Sequence, residues 1–260
     1  LYDISGESSV NPETILEKVC RSFDILIAAA EEHSGLFPSL LDRHSHAMLK
    51  ELPAAIPGQR DGDRSHLGSN LIHDEAALLT MYALAQALDR PHYTAAADRY
   101  LQHFATHCTD TASGLFPWGE HAYWHLVRDS VGNSRLIRDP NAKGGAIHDH
   151  LRQAPLWLWQ KLQEFNPQCV QRFADGLHGH WTEGEGWEYI RHAHIEEARL
   201  HPRDARSCDF PRHGGFYIFD WAFAYQHSGR PQLLEEIQHM LDYWWPRRDE
   251  RNLLLIESRS

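Results

Sequence analysis

Residues 118–124 combine side chains that suit a sugar-binding catalytic site. The segment reads Trp-Gly-Glu-His-Ala-Tyr-Trp. Glu120 could act as a general acid, a metal ligand or an acceptor for a sugar hydroxyl, and His121 could act as a base or a metal ligand. Aromatic rings beside acid–base groups favour a carbohydrate site over a purely structural turn. We therefore predict that three rings of the segment bind substrate: Trp118, Tyr123 and Trp124.

A second candidate segment covers residues 144–152, where two glycines lead towards a predicted helix. His148 precedes the helix, so we predict that it lies in the cleft and takes part in catalysis. Arg152 lies one turn further along, and we predict that it binds substrate. The alternative for Asp149 is a helix cap, and the alternative for His150 is a polar loop residue.

A third candidate segment pairs Arg212 with His213, directly before Gly214 and Gly215. The two glycines would let the backbone approach a ligand closely. The planar guanidinium could grip a uronate carboxylate through two hydrogen bonds, or act as a base if its pKa were strongly lowered. We predict catalytic roles for both residues, and the alternative is a solvated turn.

Two other segments are charged. The loop around Trp187 is acidic, and its carboxylates belong to Glu183, Glu185 and Glu188. An acidic loop of this kind is typical of the solvent-exposed edge of a site, and the alternative is that it faces the sugar. We predict that Trp187 binds substrate. Residues 70–75 open a predicted helix, where Asp74 suits the positive end of the helix dipole for reasons of charge alone. The functional alternative places His73 or Asp74 in the cleft.

Composition excludes some classes of function. The net charge of −11, counted with neutral histidines, argues against a nucleic-acid partner, which would need a basic face. No apolar run approaches the ~20 residues of a membrane-spanning helix. Only four of the 25 basic residues are lysine. Arginine suits carboxylate recognition, although a compositional bias would produce the same excess.

Histidine is frequent, with 20 residues, and some of them form His-x-His pairs in apparent loops, at 44–46, 148–150 and 192–194. Imidazoles two residues apart face the same side only on an extended backbone, where they could bind a metal. The four cysteines form no Cys-x-x-Cys motif. Three of them sit at helix positions, which indicates buried thiols rather than zinc ligands: Cys20, Cys108 and Cys169.

Apolar periodicity and helix-start signals predict paired helices joined by long loops. The predicted helices cover residues 12–32, 71–88, 91–107, 149–165, 167–180, 216–227 and 231–245. A proline starts the second helix of each pair, at Pro91, Pro167 and Pro231. Sustained period-two alternation is missing, so we predict an all-α chain.

The pentapeptide Ser-Gly-Leu-Phe-Pro occurs twice, at residues 34–38 and 113–117. In the structural interpretation, the pentapeptide is a turn whose Leu and Phe side chains pack between two paired helices. In the functional interpretation, the second copy belongs to the predicted sugar-binding site. A loop reused after a helical hairpin indicates an architecture built by repetition. Hairpins with alternate long loops are typical of an α/α toroid, whose loops gather at one end and build a cleft. A solenoid is the alternative.

We expect residues 1–260 to form a single toroid-like domain that is truncated at one or both ends. The chain begins at Leu1 without Met and ends in the apolar run 253–256. Its seven or so helices would make only part of a six-hairpin ring. Cytoplasmic, periplasmic and secreted locations all stay open on this basis, as does the oligomeric state.

Three motifs, in this order, resemble those of bacterial carbohydrate-active proteins with α/α-toroid folds: Trp118-Gly119-Glu120-His121, His148-Asp149-His150 and Arg212-His213-Gly214. The chain looks most like the pectate-lyase-like group of the six-hairpin glycosidase superfamily, over roughly residues 70–246. The resemblance implies cleft roles for Glu120, His121, His148, Arg212 and His213. Toroidal pectate lyases use an Arg or Lys base beside a divalent cation held by His and carboxylate. This implies a Ca²⁺ or Mn²⁺ ion on three residues: Glu120, His121 and His213.

The expected function is therefore a polysaccharide lyase with an oligo- or polysaccharide substrate. β-Elimination of a 4-linked uronide removes the proton at C5, which becomes acidic when the neighbouring carboxylate is neutralised. One alternative is a glycoside hydrolase, in which Glu120 would face Asp74, Asp149 or Asp209 across the scissile bond. The other is a non-catalytic module that binds glycan or protein.

Overall fold

The computed structural model describes residues 11–58, 65–149, 154–184, 188–203 and 211–254. These residues are mostly helical, with helices α1 (Pro12–Ala30), α2 (Leu71–Leu88), α3 (Pro91–His103), α4 (Arg135–Arg138), α5 (Leu156–Phe165), α6 (Pro167–Gly176), α7 (Pro211–Ser228) and α8 (Pro231–Trp244). Short 3₁₀ turns follow α1, α6 and α8, at Glu31–His33, Leu177–His180 and Trp245–Arg247. A π-helical turn, Phe104–Cys108, follows α3. The strands are β1 (Gly68–Ser69), β2 (Ala122–His125), β3 (Ser130–Asn133), β4 (Ile147–Asp149) and β5 (His192–His194).

The prediction that the chain is purely all-α is wrong, because two small antiparallel sheets are present. β1, β2 and β3 form one sheet in that order, and β4 pairs with β5. The strands have only two to four residues, and β2 is buried along its whole length, so period-two alternation had nothing to detect. The helix predicted from residue 149 begins only at Leu156, because residue 149 belongs to β4. Helix α7 begins at Pro211, before its predicted start at Phe216.

The three predicted helical hairpins are confirmed. α2 packs on α3, α5 on α6 and α7 on α8. Pro91, Pro167 and Pro231 each occupy the first turn of the second helix, where a missing backbone N–H leaves no intrahelical hydrogen bond unmade. Between hairpins, α3 packs on α5 and α6 packs on α7. The short connection of the second hairpin lies beside the turn after α3, where Nδ2 of Asn166 donates to the carbonyl oxygen of Ala105 at 2.6 Å.

Both copies of the repeated pentapeptide bury their Leu and Phe side chains in the helical core, which confirms the interpretation of each copy as a structural turn. Their apolar side chains are at most 1% exposed: Leu36, Phe37, Leu115 and Phe116. Gly35 and Gly114 have φ of +95° and +80°, in the left-handed region that favours glycine. A Cβ atom on Gly114 would lie 2.4 Å from the carbonyl oxygen of Arg172, so this turn also packs directly against α6.

The burial of three cysteines is also confirmed. Cys20, Cys108 and Cys169 are buried free thiols, and Cys208 lies outside the described residues. No helix in the described ranges combines the length and the apolar character that a membrane crossing requires.

Gly214 lies where α7 crosses α8 closely. A Cβ atom there would lie 2.4 Å from Nε1 of Trp244 and 3.1 Å from Sδ of Met240. We expect Gly214→Ala to lower the free energy of unfolding by about 1–3 kcal/mol, because the added methyl group overpacks this contact. Urea denaturation followed by circular dichroism measures the change.

Gly215 supplies the matched control, since a Cβ atom there would meet nothing within 4 Å. Gly215→Ala is expected to raise the free energy of unfolding by up to about 1 kcal/mol, because alanine favours the helix over glycine. Equal effects of the two substitutions would contradict the close approach of α7 and α8 at Gly214.

Candidate functional site

Six histidines from separate segments of the chain lie close together. We call them the histidine cluster: His121, His148, His180, His192, His201 and His213. β4 carries His148 and β5 carries His192, and the antiparallel register sets His148 beside Ala193. His180 ends the 3₁₀ turn after α6, and His213 lies in the first turn of α7. Segments far apart in the sequence thus contribute to one cluster.

A chain of hydrogen bonds runs through the buried centre of the cluster, and we call it the histidine relay. Nε1 of Trp118 donates to Nε2 of His148 at 3.2 Å. Nδ1 of His148 donates to Nε2 of His180 at 2.9 Å. Nδ1 of His180 donates to the carbonyl oxygen of Ile190 at 2.8 Å. An indole N–H can only donate and a carbonyl can only accept, so the two ends fix both tautomers and every direction in the relay.

Burial keeps the two imidazoles of the relay neutral. It lowers the pKa of His148 to about 3, and nearby His192 adds to the effect. It also holds the pKa of His180 well below its ordinary value, with a further contribution from His148. Both ring nitrogens of His148 are hydrogen-bonded inside the protein, so the residue acts here as a fixed support. Its direct part in catalysis stays a prediction.

His121 and His192 form the half-buried side of the cluster. Their rings meet edge to face, with centroids 4.9 Å apart. Nε2 of His192 is buried and has no hydrogen-bond partner among the described residues. Burial, reinforced by His121 and Arg191, lowers the pKa of His192 to about 3, and burial also lowers the pKa of His121. Both rings are therefore neutral near pH 7.

Three arginines direct positive charge at this pair of rings. After burial, the positive charges of Arg138, Arg135 and Arg191 lower the pKa of His121, against the opposing charge of Glu120. Arg135 and Arg191 are half-buried, whereas Arg138 is exposed. The net charge of the whole chain is −11. The His121 side of the cluster is therefore a local positive region that would attract an anionic group.

Arg212 and His213 adjoin the buried side of the cluster. Nη2 of Arg212 donates to Nε2 of His213 at 3.4 Å. His213 is completely buried, and its charge would lower the pKa of His180, so it lies within electrostatic reach of the relay. Arg212 itself is exposed at the start of α7. The structure thus brings His148 and His213 to one region around His180, with Arg212 hydrogen-bonded to His213.

Asp74 is a carboxyl group with an unusual pKa. Burial raises it to about 7, in spite of hydrogen bonds that stabilise the charged form. Tyr100 and Ser69 donate from their hydroxyl groups to Oδ2 at 2.8 and 3.2 Å. Nδ2 of Asn70 donates to the carbonyl oxygen of Gly119 at 2.8 Å, which ties the start of α2 to the neighbouring loop. A carboxyl group that titrates near pH 7 can serve as a general acid or a general base.

The aromatic residues of segment 118–124 are packed inside the protein. Trp118 and Tyr123 are 3% exposed, and Trp124 is 6% exposed. A Cβ atom on Gly68 or Gly132 would lie 2.2 or 2.5 Å from the Tyr123 ring, so this ring fills the space over both glycines. The three rings hold the loop in place in this structure, and their stacking on a sugar stays a prediction. The predicted substrate-binding residues Arg152 and Trp187 lie outside the described residues.

The predicted metal ligands do not converge. Within the described part of the chain, Glu120, His121 and His213 do not bring three ligand atoms within 4.8 Å of one another. The physical reason is that His121 packs edge to face on His192, whereas His213 is enclosed in the first turn of α7. These three residues therefore do not fit a divalent cation in this arrangement.

Sequence reasoning missed several contributors to the site. His180 looked like a helix-end residue, and no pattern singled out His201, Arg135 or Arg191. The His-x-His pairs did indicate short strands, because two imidazoles two residues apart lie on the same face only when the backbone is extended. That backbone is present at His148 on β4 and at His192–His194 on β5.

No protein-family model matches the chain, and a search of curated proteins finds no match. Inferences about function therefore depend on the geometry and charge of the histidine cluster and on the resemblance described above.

The neutral relay predicts that acid destabilises the fold. Histidine in an unfolded chain has a pKa of about 6.5, whereas folded His148 titrates near 3 and folded His180 well below its ordinary value. Below about pH 6.5 the unfolded chain therefore binds more protons than the folded one. Stability is expected to fall as the pH drops from 6.5 towards 3, by roughly 1.4 kcal/mol per pH unit for each histidine. Urea denaturation at pH 7 and pH 5 measures this slope.

His148→Gln removes one titrating group and keeps a hydrogen-bond donor and an acceptor. We expect the stability of this variant to fall less steeply between pH 7 and pH 5. His227→Gln, at the exposed end of α7, is the matched control and should keep the slope of the unsubstituted protein. An unchanged slope in His148→Gln would contradict a neutral His148 in the relay.

Proposed function

We propose that this chain is a polysaccharide lyase that cleaves a uronic-acid-containing glycan by β-elimination. The observation that carries the proposal is the positive region around the neutral pair His121 and His192. Its charge comes from three arginines: Arg135, Arg138 and Arg191. A positive region within an acidic protein is the feature that a polyanionic substrate requires.

The arginines supply the first requirement of the reaction. A guanidinium fork can bind both oxygens of a uronate carboxylate and offset its negative charge. This lowers the energy of the carbanion-like state that forms when the C5 proton leaves, because negative charge moves onto that carboxylate. Arg212, exposed beside His213, would act as a second clamp on the same substrate.

His121 supplies the second requirement, a base that is neutral at the working pH. Burial and the neighbouring arginines lower its pKa, so the ring is ready to accept a proton near pH 7. When the C5–H bond breaks, its electron pair forms the C4=C5 double bond and the bond from C4 to the glycosidic oxygen breaks. The leaving oxygen then takes a proton from water or from protonated His121.

The histidine relay helps to hold the pair His121 and His192 in position. His148 and His192 lie on paired strands, so fixing His148 between Trp118 and His180 also fixes the strand that carries His192. We accordingly assign His148 and His213 to positioning in this proposal and assign His121 to proton transfer.

We also propose that the helical hairpins belong to an α/α toroid within one domain. Support comes from three hairpins that pack in chain order. In a toroid the long loops between the hairpins would surround a cleft that includes the histidine cluster. A solenoid of the same hairpins is the competing arrangement.

A glycoside hydrolase is the second candidate, and the pKa of Asp74 is the observation that favours it. A carboxyl group with a pKa of about 7 suits a general acid. Glu120 lies on the loop to which Asn70, at the start of the same helix as Asp74, is hydrogen-bonded. A hydrolase would need these two carboxyl groups on opposite sides of a glycosidic bond.

The lyase is tested by the ultraviolet absorbance of an unsaturated uronide, with pectate, alginate and glucuronan as substrates. We expect one substrate to give a rise in absorbance. His121→Ala should lower kcat by about 10²–10⁴-fold, as expected for loss of a general base. Arg191→Ala should mainly raise KM. Arg251→Ala, 74% exposed and paired with Asp249, is the control and should keep full activity.

The same reactions separate the alternatives. New reducing ends without the ultraviolet product, lost in Asp74→Asn and kept in His121→Ala, would replace the lyase by the hydrolase. Substrate binding without either product would leave a non-catalytic glycan-binding module. An ultraviolet product that is unchanged in His121→Ala would rule out His121 as the base.

A further inference from the structure

A group of metal-type ligands lies at the end of α3, formed by residues that the proposed lyase does not use. His103 and His107 are one helical turn apart, and Asp129 lies on the turn between β2 and β3. Each offers one ligand atom, and all three atoms lie within 4.8 Å of one another. We call this group the His103–His107–Asp129 triad.

The carboxylate of Asp129 is held by two side chains, His107 and Trp124. Nε2 of His107 lies 2.9 and 3.0 Å from the two oxygens of Asp129. Nε1 of Trp124 donates to Oδ1 of Asp129 at 3.1 Å, and the Trp124 ring meets the His107 ring edge to face at 5.2 Å. A hydrogen bond that orients a ligating carboxylate is a usual support of metal sites.

The second imidazole distinguishes the triad from a simple ion pair. The rings of His103 and His107 have centroids 4.8 Å apart and are tilted by 33°. Within the described ranges, no side chain or backbone group forms a hydrogen bond with the His103 ring. An ion pair between His107 and Asp129 needs no second histidine at this distance, whereas a metal ion uses both.

The backbone around the triad departs from regular geometry on both sides. Directly after His103, α3 changes into the π-helical turn Phe104–Cys108, which contains His107. Asp129 has φ of +49°, which is uncommon for a residue other than glycine. π-Helical turns and such left-handed residues occur preferentially at functional sites.

We propose that the His103–His107–Asp129 triad binds a divalent transition-metal ion, for which Zn²⁺ fits best. Two imidazoles and one carboxylate, with water as the fourth ligand, are a usual tetrahedral zinc set. Zinc–ligand bonds of about 2.1 Å would require the ligand atoms to lie about 3.4 Å apart. His107 and Asp129 are 44% and 64% exposed, so their side chains have room for this small adjustment.

The metal would join the β2–β3 hairpin to the end of α3. β2 carries Trp124 and follows the segment with Glu120 and His121, so the ion would stabilise that segment through Asp129 and Trp124. Its role would be structural, and it goes beyond the proposed lyase activity. Bound Zn²⁺ should therefore raise the melting temperature of the chain, since it binds the folded form.

The test is calorimetric titration of the chelator-treated chain with Zn²⁺, together with the visible ligand-field spectrum of bound Co²⁺. We expect one strong site with a tetrahedral Co²⁺ spectrum. His103→Ala and Asp129→Asn should each weaken that site by at least about tenfold. His103 has no described hydrogen bond to lose, so His103→Ala should keep the far-ultraviolet circular dichroism of the folded chain.

His178→Ala is the matched control. His178 pairs with Glu236 at 2.8 Å on the surface, which resembles the His107–Asp129 pair without a second imidazole. This variant should bind Zn²⁺ like the unsubstituted chain. Binding that survives His103→Ala, or that falls equally in His178→Ala, would overturn the proposal, as would an octahedral Co²⁺ spectrum in the unsubstituted chain.

Discussion

The hydrogen bond between His148 and His180 is the contact on which the histidine cluster depends. It joins β4 to the 3₁₀ turn after α6, across 32 residues of sequence. Because both rings are buried, either one would pay the cost of an unsatisfied polar group if its partner moved. Trp118 and Ile190 complete the relay, so hydrogen bonds between buried groups fix these segments relative to one another.

Because the buried histidines are neutral, the positive charge near the histidine cluster must come from other side chains. Burial removes charge from His148 and His180 and lowers the pKa of His192 to about 3. The positive potential must therefore come from groups that keep their charge when partly desolvated, and arginine is the side chain that does so. This explains why half-buried arginines accompany neutral imidazoles here. An acidic protein can in this way present a locally positive surface.

Much of the fold could be predicted from local sequence. Pro91, Pro167 and Pro231 marked the second helix of each hairpin because their effect on the backbone is local. The repeated Ser-Gly-Leu-Phe-Pro turn was also predictable, since its glycine and its apolar pair act within five residues. The strands seen in the described part of the chain were missed because each is too short to show a period. In addition, β4 occupies residues that looked like the start of a helix.

The candidate site was less predictable because its contacts join distant residues. Sequence reasoning selected Glu120, His121, His148, Arg212 and His213 by residue type, but it could not assign partners that lie 30 or more residues away. The triad at the end of α3 shows the same limit, because His103 and His107 fit an ordinary helix and only the turn at Asp129 completes the set. Residue type therefore indicates which groups can do chemistry. Which of them are free to do it depends on the hydrogen bonds made after packing, as the two occupied nitrogens of His148 and the open nitrogen of His192 show.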